Sequence, residues 1–113
     1  MANEGVLGKF KVEGEKAATD DHPVIIHALL LDSGVTGVLP AGLLLERTGA
    51  GDYQPYSSGT PCAVVNEPCD SAVESSAKSV VHGCVKARLL KTGTNAADDA
   101  AIAALMDHGV FAV

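Results

Sequence analysis

Ser79-Val80-Val81-His82-Gly83-Cys84-Val85-Lys86-Ala87-Arg88-Leu89-Leu90 carries the clearest pattern in the chain. Val81, Gly83, Val85, Ala87 and Leu89 fall on one face of an extended strand, and His82, Cys84, Lys86 and Arg88 on the other, because successive strand side chains point to opposite sides. Such a segment is expected to bury its first face and wet its second. It sets a β-rich reading for the rest of the chain.

Upstream, Pro61, Pro68 and the Ser-rich stretch from Ser71 to Ser79 leave Cys62 to Asn66 as a short strand. Leu43-Leu44-Leu45-Glu46-Arg47 reads as another, running into the turn Gly49-Ala50-Gly51-Asp52, after which Tyr53 to Tyr56 resumes pairing. Val24-Ile25-Ile26-His27-Ala28-Leu29-Leu30-Leu31 follows Pro23 and ends at Asp32-Ser33-Gly34, a strand with a turn behind it and the expected first buried strand. Residues 1–22 are densely charged between Glu4 and Asp21 and form an expected N-terminal arm. Its apolar anchors are Val6, Leu7, Phe10 and Val12, of which Val6, Phe10 and Val12 share one face of an extended segment.

Downstream lies the one strong helix signal. Asn95 is the expected N-cap, Asp98 and Asp99 place anions in the first turn, and Ala101, Ile102, Leu105 and Met106 form an apolar stripe. His108 suits the last turn and Gly109 stops the helix, leaving Val110-Phe111-Ala112-Val113 to return to the sheet. The sum is a β-rich α+β domain over residues 23–113.

Composition narrows the function. Val, Leu, Ile and Phe supply 29 of 113 residues, above the roughly 20% below which charged chains stay unfolded. A net charge of −6 with no Lys/Arg cluster argues against nucleic-acid binding. The apolar runs fall far short of the ~20 residues that span a bilayer. No signal-peptide pattern opens the chain, so residence in a cytoplasm is expected. Cys62, Cys69 and Cys84 are an odd set without paired spacing and read as reduced thiols.

Several residues resemble catalytic or metal motifs. Leu29-Leu30-Leu31-Asp32-Ser33-Gly34 has the pattern of an aspartic-protease loop, which would need a homodimer to bring two Asp32 carboxylates together. Val35-Thr36 departs from that family, and Asp-Ser-Gly is an ordinary strand-ending turn. His82 and Cys84, with His27 and the other thiols, invite a zinc site, but two further ligands would have to come from Pro-flanked loops, and no metal is expected. Glu67-Pro68-Cys69 echoes the zinc deaminases, but Ala72 stands where their second Cys belongs. Ser57-Ser58-Gly59 lacks the glycines of a nucleophile elbow. No cofactor is expected, and no enzymatic activity.

Taken in order, the segments resemble the tailed-phage head decoration proteins of the lambda type. The strand Val24 to Leu31 with its Asp32-Ser33-Gly34 turn is followed by Leu39-Pro40-Ala41-Gly42-Leu43-Leu44-Leu45 and Tyr53-Gln54-Pro55-Tyr56. Pro61-Cys62-Ala63-Val64-Val65-Asn66-Glu67, the strand Ser79 to Leu90 and the Ala-rich helix with its apolar tail complete the match over residues 24–113. The longer, more charged arm and the three cysteines depart from the family. The resemblance implies short bent antiparallel strands, a β-clip-like ribbon or partial barrel, with one C-terminal helix. It implies a virion protein made in the bacterial cytoplasm. Its partners would be itself, as a homotrimer, and the major capsid protein, bound at three-fold positions on the outer surface of an expanded head to stabilise it against internal DNA pressure. Residues 1–22 would be an arm that stays flexible until bound to the capsid, with Val6, Leu7, Phe10 and Val12 as its capsid-binding residues.

Overall fold

The structure, a computed structural model, describes residues 15–19 and 23–113. In chain order the elements are β1 (Ile25–Leu30), β2 (Val38–Leu39), β3 (Leu44–Arg47), β4 (Tyr53–Pro55), β5 (Pro61–Val65), β6 (Cys69–Asp70) and β7 (Ser76–Val85). A 3-10 turn (Ala87–Leu89), β8 (Lys91–Thr92), β9 (Asn95–Ala96), α1 (Asp99–Asp107) and β10 (Val110–Ala112) follow.

Six strands form the main sheet, in the order β10-β7-β5-β3-β4 with β1 also on β7. All its pairings are antiparallel except that of β10, which returns through α1 to lie parallel to β7. The pairing also turns back on itself. Leu31 N–H donates to the Ser75 carbonyl beside β7 at 2.9 Å, while Asp32 N–H donates to the Tyr53 carbonyl in β4 at 2.8 Å. The residues just after β1 thus join the two sides of a ring made by β7, β5, β3 and β4.

Two cores lie on opposite faces of these strands. Leu44, Val64, Val80 and Val85 join Leu90, Leu105 and Val110 in one, beneath α1. Leu45, Ala63, Val65 and Ala77 join Leu29, Leu31, Leu39 and Cys69 in the other. Alternation therefore sends Leu44 and Leu45 to different cores, and Val64 and Val65 likewise. Strands covered on both faces read as continuous apolar runs, which is why these segments show no alternation.

β7 corrects the expectation of one buried and one wet face. Val80 packs in the first core and Ala77 in the second, so both faces are covered there. Val80 and Val85 share a core although they are an odd number of residues apart, so the alternation changes phase between them. Gly83 lies in that interval with φ +124°, and a Cβ on it would come within 2.5 Å of Val24 Cγ2. The strand also ends at Val85; Ala87 to Leu89 turn as a 3-10 segment. That turn needs Gly42, whose φ is +94° and whose missing Cβ makes room for the Leu89 carbonyl.

The C-terminal helix is present, with a different cap. Asn95 belongs to β9, which pairs with β8 across Gly93 and Thr94, and Asp98 caps α1 by accepting the Ala101 N–H at 2.9 Å. Ala101 and Leu105 are buried and Ile102 packs partly on the core, but Met106 is 51% exposed. Gly109 ends the helix at φ +87°.

Candidate interaction surface

β1 was expected to be the first buried strand, and it is the most exposed apolar element among the described residues. Leu29 alone of its six residues is buried; Ile25, Ile26 and Leu30 are 49%, 40% and 58% exposed. Sequence composition misled here because β-branched residues mark a strand without saying what covers it. Uncovered apolar strands at a sheet margin are templates for association, which proteins block with charges or a covering element. Ile25-Ile26-His27-Ala28-Leu29-Leu30 contains no Lys, Arg, Asp or Glu.

A second surface gathers at the far end of β7. Residues 15–19 are laid along it: Ala17 N–H donates to the Asn66 carbonyl at 3.1 Å, Thr19 N–H to the Cys84 carbonyl at 3.1 Å, and Lys86 N–H to the Ala17 carbonyl at 2.8 Å. Asn66, 2% exposed, adds its Oδ1 as acceptor for Ala18 N–H at 3.0 Å, and Ala17 is fully buried. Glu15 pairs with Lys86 at 2.8 Å and with Arg88. Hydrogen bonds from Arg88 and then Lys86 hold its carboxyl down at about 2, from an ordinary 4.5. The C-terminal strand ends beside the same residues, with Val113 N–H on the Val85 carbonyl at 2.9 Å and its carbonyl accepting from Ala87 at 3.0 Å. Both chain directions therefore meet at Val85 to Arg88. Of the expected arm, Val6, Leu7, Phe10 and Val12 lie outside the described residues.

Compared with known protein families, curated proteins and solved structures, the chain matches none.

The other singled-out residues are dispersed. Asp32 stands in an Asx turn, its Oδ2 accepting Gly34 N–H at 2.9 Å. His27 is exposed on β1 opposite Ser79, whereas His82 meets the edge of Phe111 with ring centroids 6.3 Å apart. All three cysteines are free. Burial pushes the thiols of Cys62 and Cys69 up, and Cys69 donates to the Ser76 carbonyl at 3.5 Å. Among the described residues no three His, Cys, Asp or Glu side chains come together as a metal-binding group.

Sequence reasoning missed Asn66 and Glu46. The Glu46 carboxylate, 6% exposed, accepts Ser57 N–H and Gly59 N–H, each at 2.9 Å, and Gln54 Nε2 at 2.7 Å. Those donors hold its pKa below the ordinary value. Neither residue belongs to a local motif; the partners of their side chains are 11 to 48 residues away for all but Gln54.

Proposed function

We propose that the chain is a non-catalytic capsid decoration protein, a homotrimer that binds the major capsid protein on the outer surface of an expanded phage head at three-fold positions and cements it. The observation that carries this reading is the uncovered apolar strand β1, with Ile25, Ile26 and Leu30 facing outward in an otherwise acidic chain. A surface of that kind suits permanent contact with other protein, here the neighbouring copies.

The docked root of the N-terminal segment supports the capsid contact. Residues 15–19 are hydrogen-bonded to the sheet beside its C-terminal strand, which gives the arm a docked root. In a trimer three such arms give a multivalent grip, in which each engaged arm raises the effective concentration of the others. Val6, Leu7, Phe10 and Val12 suit strand addition to a capsid edge, with main-chain bonds giving affinity and alternate side chains giving fit. The β-rich fold, with antiparallel pairing and one C-terminal helix, is compatible with this reading.

Deletion of residues 2–14, which spares Glu15 and the buried Ala17, tests the arm. The truncated chain should keep its fold and its solution mass while losing affinity for capsids. Undiminished capsid binding would contradict the assignment.

A further inference from the structure

We propose that the mouth of the strand ring is a binding site for a small organic anion, a carboxylate or phosphate carried on a short apolar body. A cavity of about 470 Å³ opens there, within the size range of small-molecule sites, which recur at the mouths of β-barrels. Its floor is Ala63 and Val81, from β5 and β7, continuous with the second core. Arg47 and His108 stand on its rim with the hydroxyl-bearing Tyr53 and Thr60.

Charge selects the ligand. Arg47 makes one long hydrogen bond, from Nε to the Gly51 carbonyl at 3.4 Å, and no ion pair among the described residues. Its terminal amines remain available for the bidentate contact that guanidinium makes with carboxylate or phosphate. The adjacent carboxylate, Glu46, is already held by Ser57, Gly59 and Gln54. The His108 ring and the Tyr53 and Thr60 hydroxyls add further hydrogen-bonding groups. Cys62, half-buried in the wall, is a built-in reporter of occupancy.

The test uses the full chain and three probes of one shape: benzoate, phenyl phosphate and the neutral benzyl alcohol. Binding is followed by amide NMR shifts and by the rate at which a maleimide labels Cys62 relative to Cys84. Benzoate or phenyl phosphate should saturably shift Arg47, Thr60 and Val81 and slow Cys62 labelling at least fivefold, and the probe that binds more tightly identifies the head group. Arg47→Gln, an exposed substitution, should weaken that binding at least tenfold. Shifts from both anions absent at 20 mM, equal binding of benzyl alcohol, or equal binding by Arg47→Gln would each overturn the proposal.

Discussion

Asn66 holds Ala18 across 48 residues of sequence, its buried Oδ1 accepting the Ala18 N–H at 3.0 Å. Removing a buried acceptor leaves its donor unsatisfied, which costs about 1–3 kcal/mol. Asn66→Ala should lose stability in that range and expose the amides of Ala17 and Ala18 to faster hydrogen exchange. Loss of stability with those two amides still protected would contradict the anchoring role.

Glu46 ties the loop at Ser57 and Gly59 to β3 through charge-assisted bonds. Glu46→Gln keeps the shape but turns one oxygen into a donor facing other donors, and should cost about 1–3 kcal/mol in chemical denaturation. The pH dependence has a fixed sign. The folded pKa is lowered, so the contribution is complete above the ordinary carboxyl value of about 4.5 and is lost as pH falls through the lower folded value. The parent should lose stability on acidification below pH 4.5, and the Gln variant should lose less over the same interval.

Asp98, rather than Asn95, caps the helix, and paired substitutions separate them. Asp98→Ala should cost about 1 kcal/mol. Asn95→Ala, at an exposed site in β9, should stay within about 0.5 kcal/mol. Thermal denaturation of the two variants in parallel reads the difference, and a reversed order would contradict the observed cap.

Gly83 follows the register shift at Val81 in β7 and lies directly against Val24. Gly83→Ala adds a Cβ at φ +124° with Val24 Cγ2 only 2.5 Å away. The strain alone is of order 1–3 kcal/mol, and the contact adds to it, so the variant should melt well below the parent. A melting temperature equal to the parent's would contradict that close approach.

The protease-like motif is testable at one atom. Asp32→Asn preserves an acceptor for Gly34 N–H and should change stability by no more than about 0.5 kcal/mol. Under the decoration reading it also leaves capsid binding intact. Peptide cleavage at acidic pH by the parent, abolished in this variant, would support a dimeric protease instead.

Local chemistry made much of the fold legible. Gly109 marks the helix end, and the glycines after Arg47 mark the turn before β4, because both signals act over a few residues. The two-core arrangement was not legible, since Leu44 and Leu45 or Val64 and Val65 lose all periodicity when both faces are covered. The exposure of Ile25 and Ile26 was hidden for a related reason: apolar composition is the same whether a strand is covered within the chain or from outside it. Asn66, Glu15 and Glu46 act through distant partners, and no local pattern announces them. Asp32, in its turn with Gly34, keeps the bonding its sequence implied.

Cosedimentation with expanded, undecorated phage heads tests the central claim most directly. The account predicts saturable binding that approaches one chain per capsid subunit. A folded chain that stays in the supernatant while the heads pellet would contradict it.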